Sequence, residues 1–329
     1  MVKVSVCIPV YGVEKYIERC ARSLFEQTMT DGIEFIFVND CTKDNSIEIL
    51  EKVLEEYPHR KEQVKIIHHE KNRGLVAARN TGLEHATGDY IIHCDSDDWV
   101  DPNMYEEMYN KAIATDADMV YCDYYVSTTI LYYIPHKGTC EIQEILNGLL
   151  AGKIHGATWN KLFKRSIAHN KNIWCPNHIV MYEDLLRTSQ MIKMCKKIAF
   201  INKPLYFYAQ NSTSLVHNYT RNSMENIMEV TDFLVNKYGK DFSSDTLKIK
   251  KIIMLETIMV YSDLFSLNEY KKYSQGLHLR DFICRFYSDK LIRPITIFTL
   301  LACVNYPLSI RFYKFAKKLQ TFILRFFVP

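Results

Sequence analysis

The chain has 329 residues, of which 48% are hydrophobic and 24% are charged, a composition typical of a globular protein with a sizeable buried core. Its net charge of +3 is too small to indicate nucleic-acid binding by itself. The N-terminus has no basic segment followed by a long apolar one, so we expect no signal peptide and a cytoplasmic location. Ten cysteines without a Cys-x-x-Cys pair predict buried free thiols rather than disulfides or a zinc site.

The first 125 residues alternate between strand and helix patterns. The predicted strands are Val4–Pro9, Ile33–Asn39, Val64–His69, Asp89–Cys94 and Met119–Tyr124. The predicted helices are Glu14–Glu26, a segment from Asp44 or Ser46 to Tyr57, Leu75–Ala86 and Pro102–Thr115. Four strand–helix units with short connections predict an α/β fold, with a mostly parallel sheet covered by helices on both faces.

Beyond residue 125 the pattern is less regular. The predicted elements are an edge strand or loop at Tyr125–Pro135, a helix at Cys140–Ala151, a segment Thr158–Phe163 leading into a helix, a helix from Tyr182 to Met194, a strand at Lys197–Tyr208 interrupted by Pro204, and a helical extension over 222–290. We therefore divide the chain into residues 1–125, 126–220, 221–290 and 291–329.

Three predicted strands end in notable residues at their carboxyl ends, where open α/β sheets bind ligands. These residues are Pro9-Val10-Tyr11, Asn39-Asp40 and Asp95-Ser96-Asp97. With Asp98, the last loop has three carboxylates within four positions, which indicates either a solvated turn or a cation site. Because three loops converge on one rim, we favour the cation site. Asp-x-Asp offers hard oxygen ligands for Mn²⁺ or Mg²⁺, which such sites usually share with substrate phosphates.

Three stretches resemble, in order and spacing, the family 2 glycosyltransferases with the GT-A fold: SVCIPVYGVEKYIERCARSLFEQ, EFIFVNDCTKDNS and KNRGLVAARNTGLEHATGDYIIHCDSDDW. The resemblance covers about the first 125 residues. It implies a Rossmann-like, nucleotide-sugar-binding half in residues 1–125 and an acceptor-binding half in residues 126–220. It does not identify the sugar.

The resemblance also implies roles for individual residues at the donor site. Tyr11 is expected near the uracil ring, Asp40 to accept a hydrogen bond from the ring N–H, and Arg79 to lie beneath the nucleotide, orienting acids or contacting phosphate. The implied donor-site residues are Pro9, Val10, Tyr11, Glu14, Asp40, Arg79, Asp95 and Ser96. The chain departs from the family pattern at Gly12, where Asn is common, and at Asn39-Asp40-Cys41, where Asp-Asp-Gly is commoner.

An acidic pair in Tyr182-Glu183-Asp184 offers a catalytic base. A carboxylate or His within hydrogen-bond reach must take the proton of an acceptor hydroxyl. The pair, followed by two leucines, matches a family segment in which an acid serves as base. We predict Asp184 as the base and Glu183 as the alternative. The structural alternative is that both acids merely favour a helix N-terminus.

Two further segments resemble functional parts of the family. Trp159-Asn160-Lys161 resembles a segment on the acceptor side, where Trp159 can stack on a sugar or pack in the core. His217 lies where some relatives have a metal or diphosphate ligand, and it would join Asp95 and Asp97, although a lone His is more often structural.

The C-terminal segment 291–329 has a different composition. Seven basic residues and no acid follow Asp289, which leaves a net charge of about −4 for residues 1–289 out of the total of +3. Residues 294–310 carry no charge over 17 positions, just short of a spanning helix, and basic and aromatic residues then alternate. This pattern favours a helix at an anionic membrane surface. The alternative is packing against the rest of the protein or a second subunit in a homo-oligomer.

These observations predict an inverting, metal-dependent glycosyltransferase of the hexosyl- or N-acetylhexosaminyl-transferase class. The expected donor is a nucleotide sugar, which the resemblance implies is UDP-linked, and the expected acceptor is a hydroxyl of a glycan or lipid-linked glycan. By resemblance, the setting is capsule, exopolysaccharide or lipopolysaccharide assembly at the inner face of the cytoplasmic membrane. A nucleotidyltransferase and a non-catalytic glycan-binding protein are the alternatives.

Overall fold

The computed structural model describes residues 1–133, 135, 138–210, 220–260, 267–278, 281–282, 299, 309–311 and 313–314. The chain divides into two units. The first comprises the described parts of Met1–Leu149 and His155–Asn218, and the second the described parts of Leu150–Ile154 and Tyr219–Pro329. His217 and almost all of segment 291–329 lie outside the described residues.

The first unit contains a mixed sheet of nine strands within the described residues. The strands are β1 (Val4–Val10), β2 (Ile33–Asn39), β3 (Val64–His68), β4 (Tyr90–His93), β5 (Trp99–Val100), β6 (Met119–Ser127), β7 (Leu131–Tyr133), β8 (Lys161–Lys164) and β9 (Ile198–Ala209). The α-helices of the described residues are α1 (Ile17–Phe25), α2 (Ser46–Glu55), α3 (Leu75–His85), α4 (Met104–Thr115), α5 (Ile142–Leu150), α6 (Arg165–Ala168), α7 (Glu183–Met194), α8 (Arg221–Tyr238), α9 (Ser244–Val260) and α10 (Leu267–Ser274).

The strand order is β3-β2-β1-β4-β8-β6-β9-β5, with β7 paired to β6. Strands β1, β2, β3 and β4 are adjacent in the sheet and all run in the same direction. Strand β8 is antiparallel to both β4 and β6, whereas β6 and β9 are parallel. The expected mixed, mostly parallel sheet is confirmed. Because β1, β2 and β4 run in the same direction, the loops after them meet at one rim.

The core lies where apolar faces of the helices cover these strands. Every residue of β1 is buried, as a parallel strand with both faces covered requires. On α1 the buried residues are Ile17, Cys20, Ala21, Leu24 and Phe25, which share one face of the helix. Each such apolar side chain contributes on the order of 1.5–3 kcal/mol when it leaves water.

Short strands account for most of the differences from the predicted elements. Strands β5, β7 and β8 have two to four residues, too few for a periodic pattern, and are formed by pairing with neighbours distant in sequence. Strand β9 continues through Pro204 because β9 itself bulges there: single steps along β6 from Cys122 to Tyr124 correspond to longer steps along β9, with register shifts on both sides of Asp123. The predicted helical stretch 222–290 is divided, within the described residues, into α8, α9 and α10.

The cysteines of the described residues are free thiols, and five of them are buried: Cys7, Cys20, Cys94, Cys122 and Cys195. None of the helices in the described part of the chain is long and apolar enough to cross a membrane.

A buried guanidinium holds the connection between α1 and β2. Arg60 donates hydrogen bonds to the carbonyls of Phe25 at 2.9 Å, Gln27 at 2.5 Å and Met29 at 3.0 Å, and to Gln63 Oε1 at 2.8 Å. The carbonyl of Phe25 is at the C-terminal end of α1, and those of Gln27 and Met29 lie in the following loop, so Arg60 supplies the partners that buried backbone groups require.

Replacing Arg60 by Met should lower the free energy of unfolding of the first unit by about 3–5 kcal/mol, since several buried carbonyls lose a charged donor. Arg22→Met is the control, because Arg22 is partly exposed and its pair with Glu56 is a surface ion pair, worth at most about 1 kcal/mol. Urea unfolding followed by tryptophan fluorescence measures this unit, which contains all three tryptophans. Equal losses in the two variants would contradict the structural role of Arg60.

Candidate active site

The loop after β2 is fixed by Asp40. Its N–H donates to the carbonyl of Val10 at 3.0 Å. Its buried carboxylate accepts from the backbone N–H groups of Arg73 and Gly74, both at 2.8 Å, and is bonded to His69 Nδ1 at 2.7 Å. Asp40 therefore joins β1 and β2 to the entrance of α3. A carboxylate has about four acceptor positions, so one remains for a ligand N–H.

The loop after β1 presents Tyr11 at the same rim, with its side chain 52% exposed. Gly12 follows in the left-handed region at φ +68°, a conformation that Gly and Asn tolerate, so the departure from the family pattern at this position is conservative. Gly12 N–H donates to Thr42 Oγ1 at 2.9 Å, and Glu14 accepts from Asn45 N–H at 3.2 Å. These bonds fasten the β1 loop to the start of α2.

Arg79, on α3, is the centre of the site and is 1% exposed. Its Nη2 donates to Asp95 Oδ1 at 2.7 Å, and its Nη1 donates to Asp184 Oδ1 at 2.6 Å and to Glu183 Oε1. Asp95 follows β4, and the other two acids form the first turn of α7. One guanidinium therefore brings the predicted donor acid and both predicted base candidates together.

The two base candidates differ in exposure and in proton affinity. The Asp184 side chain is 27% exposed and that of Glu183 is 5% exposed. Burial raises the pKa of Glu183 to about 8, an effect that Arg79 opposes and Asp184 reinforces. Of the two, Asp184 is therefore the more accessible to an incoming substrate, and Glu183 is enclosed beside Arg79.

The acidic residues after β4 lie in two different environments. Asp95 and Asp97 are partly exposed at the rim, and Ser96 between them is buried. Asp98 is buried and accepts hydrogen bonds from Tyr206 Oη at 2.6 Å and from Ala209 N–H at 2.7 Å. Burial, reinforced by Asp97 and Asp95, raises the pKa of Asp98 well above its usual range. The expectation that all three acids supply charge to a cation is therefore wrong for Asp98, which anchors β9.

A divalent cation fits the remaining donor set. Asp95 and Asp97 offer hard carboxylate oxygens, and no third His, Cys, Asp or Glu joins them in the described part of the chain. Two carboxylates suit a cation that takes its other ligands from substrate phosphates and water.

Buried polar atoms without a hydrogen-bond partner concentrate behind the base candidates. Of six such side-chain atoms in the described residues, five belong to Arg79, His93, Glu183, Arg187 and Thr188. Burial lowers the pKa of His93 well below its usual range, and Arg79 and Arg187 lower it further. Unsatisfied and perturbed groups of this kind are characteristic of functional sites. His93, Arg187 and Thr188 were not predicted from the sequence, because His93 lies in an apolar stretch and the other two follow the acidic pair on α7 without a motif of their own.

The residues predicted on the acceptor side are buried. Trp159 is 2% exposed and stacks on Tyr206, with ring centroids 4.2 Å apart and planes 11° apart. Asn160 donates to the carbonyl of Cys122 at 2.7 Å, and Lys161 is also buried. In this structure Trp159 is a core residue, the structural alternative considered for it, and it offers no open face to a sugar.

Comparisons with known proteins identify the family of this chain. The sequence profile described as "Glycosyl transferase family 2" matches residues 5–182. EpsH of Bacillus subtilis (strain 168), described as a glycosyltransferase, is 32% identical over 278 residues, which span 82% of this chain and 77% of EpsH. The chain belongs to glycosyltransferase family 2, and it is a glycosyltransferase.

Solved structures of low sequence identity share the fold. TarS 1-349 of S. aureus, in complex with UDP-GlcNAc, has a TM-score of 0.68 at 18% identity and covers 96% of this chain and 92% of its own. The mannosyltransferase PcManGT from Pyrobaculum calidifontis, in complex with GDP-Man and Mn²⁺, has a TM-score of 0.58 at 14% identity and covers 94% and 86%. The expected GT-A fold is confirmed.

The second departure from the family pattern has a backbone consequence. Cys41 has φ 59°, a left-handed conformation that costs an L-residue roughly 1–2 kcal/mol. Glycine adopts it without strain, which explains why glycine is commoner at this position in the family pattern.

Replacing Cys41 by Gly should raise the stability of the first unit by up to about 1 kcal/mol, since the relieved strain exceeds the entropic cost of glycine, about 0.5–1 kcal/mol. Cys41→Ala is the control: it removes the thiol, keeps the Cβ atom and should give no gain. Urea unfolding of both variants tests this. A gain from alanine equal to that from glycine would assign the effect to the thiol rather than the backbone.

Proposed function

We propose that the protein is an inverting, divalent-metal-dependent transferase that moves a sugar from a UDP-sugar to a hydroxyl of a glycan or lipid-linked glycan in cell-surface polysaccharide biosynthesis. One observation carries the proposal: Arg79 joins Asp95 at the donor rim to Asp184 at the start of α7. A direct displacement needs a donor site and a base on opposite sides of one carbon atom, and this contact brings the two into one site.

In the proposed donor complex, the exposed ring of Tyr11 packs beside the uracil and Asp40 accepts its ring N–H. Asp95 and Asp97 hold the divalent cation and the ribose. When bound, the cation neutralises the charge that develops on the leaving diphosphate. His217, which lies outside the described residues, is a further candidate ligand.

On the acceptor side, the carboxylate of Asp184 accepts the proton of the attacking hydroxyl. Arg79 fixes one of its oxygens, Oδ1, at 2.6 Å. The other oxygen is then oriented for the hydroxyl, a form of preorganisation that lowers the barrier. Glu183 is less suited to this role, because its side chain is only 5% exposed and pairs with Arg79.

We extend the proposal to a peripheral membrane contact through residues 291–329. Seven basic residues and no acid after Asp289 support it, since basic residues close to anionic lipids each contribute about 1 kcal/mol.

Replacing Asp97 by Asn should weaken the Mn²⁺-dependent binding of the UDP-sugar and leave the unfolding temperature of the free protein nearly unchanged, because the residue is at the rim. Thermal shift with a panel of nucleotide sugars, with and without Mn²⁺, measures both quantities. Asp98→Asn is the matched control, since Asp98 already has a raised pKa in the core, and its metal dependence should remain that of the wild type. Unchanged Mn²⁺ dependence in Asp97→Asn would reject the metal assignment.

Replacing Asp184 by Asn should lower turnover by roughly 10²–10⁴-fold, because the amide cannot take the acceptor proton. Donor affinity should change little, since the residue faces the acceptor. Glu183→Gln keeps the size of the buried side chain and leaves the exposed carboxylate of Asp184 in place, so it should cost less than about tenfold. Steady-state kinetics and donor titration test the pair. A larger loss in Glu183→Gln would reassign the base, and equal losses of donor binding and turnover in Asp184→Asn would make it structural.

A further inference from the structure

The ammonium group of Lys161 is buried beside the site without touching its rim. The residue is 1% exposed. Its Nζ donates to the carbonyls of His155 at 2.9 Å and Ala157 at 2.7 Å, and to Asn160 Oδ1 at 2.8 Å. An ammonium has three donors, and all three are used within one turn of chain, residues 155–160. Lys161 therefore fixes this turn from the inside.

The turn contacts the base candidate through Thr158. The hydroxyl of Thr158 donates to Asp184 Oδ1 at 3.3 Å. This is the oxygen that Arg79 also holds. The orientation of the Asp184 carboxylate is thus set from two sides, by Arg79 on α3 and by the turn that Lys161 fixes.

The same turn supports the donor rim through Trp159. The Trp159 ring stacks on Tyr206. The hydroxyl of Tyr206 accepts from Asp95 N–H at 3.1 Å and donates to Asp98 Oδ2 at 2.6 Å. Thr158 therefore contacts Asp184 on the acceptor side of the site. Trp159, the next residue, packs against Tyr206, which contacts Asp95 on the donor side.

We propose that Lys161 is a positioning residue for transfer: its buried ammonium holds turn 155–160 so that Thr158 orients the Asp184 carboxylate. The proposal rests on the function proposed above, with Asp184 as base. It replaces the expected place of Lys161 on the acceptor surface, because a side chain with 1% exposure does not meet a substrate.

Stability alone does not account for this ammonium. Burial lowers the pKa of Lys161 to about 7, so keeping the charged form in the core is costly. An apolar residue of similar size is often at least as stabilising in such a position. The three oxygens around Nζ instead favour the charged form, since a neutral amine donates only two hydrogen bonds. The buried ammonium therefore costs stability, but its three hydrogen bonds fix the turn.

The test is a double-mutant cycle of Lys161→Met and Asp184→Asn, read by turnover and by donor Kd. If Lys161 acts through Asp184, Lys161→Met lowers kcat by about tenfold or more, leaves the donor Kd within about threefold, and adds less than about threefold to the loss of Asp184→Asn. Losses that multiply, an unchanged kcat, or a donor Kd weakened as much as kcat would overturn the proposal. Wild-type turnover in Asp184→Asn alone would instead reject the base, and the positioning role with it.

Thr158 provides a second test that does not depend on the folding of Lys161→Met. Thr158→Val keeps the shape and removes the hydroxyl, and Thr158→Ser keeps the hydroxyl. We expect Thr158→Val to lower kcat about three- to tenfold without changing the donor Kd, and Thr158→Ser to restore it to within about twofold. Equal kcat values in the two variants would overturn the link from the turn to Asp184.

Discussion

The site depends on the ion cluster around Arg79. A guanidinium with 1% exposure is stable in the interior only when opposite charges and hydrogen bonds surround it. Asp95, Glu183 and Asp184 supply these, and without Arg79 they would repel one another at close range. The cluster therefore fixes the relative positions of α3, the end of β4 and the start of α7. His93, Arg187 and Thr188 also have buried side-chain atoms without a hydrogen-bond partner, and groups of this kind are characteristic of functional sites.

The sheet explains why the parts of the site meet. Strands β1, β2 and β4 are parallel and adjacent, so Tyr11, Asp40 and Asp95 emerge at one rim. Asp40 then uses most of its acceptor positions to hold the loop before α3, the helix that carries Arg79. The donor rim and the Arg79 cluster are thus connected through the backbone of a single loop. A substitution of Asp40 would therefore disturb the position of Asp184, through Arg79, as well as the binding of the nucleotide.

Much of this could be predicted from the sequence, and the failures have physical reasons. Long apolar strands and the amphipathic α1 have strong periodic signals, and Asp95, Asp97 and Asp184 lie in motifs at strand or helix ends. Arg79 contacts acids that are 16 and 105 residues away in sequence. Because this contact is tertiary, the sequence alone left two roles open for Arg79: orienting acids or contacting phosphate. Asp98 and Trp159 are residue types that often occur in such sites, but the tertiary fold buries both of them in the core. Burial of this kind is decided by packing, which no local pattern encodes.

The central claim is that one exposed carboxylate and one cation site serve a single displacement. The configuration of the new glycosidic bond tests it most directly. With an α-linked UDP-sugar and a soluble acceptor, the NMR coupling of the anomeric proton in the product distinguishes the two outcomes. The account predicts a β-linked product, released together with UDP, because attack from the side of Asp184 inverts the reacting carbon. An α-linked product would require two displacements or a front-side attack, and would contradict the roles assigned to Asp184 and Arg79.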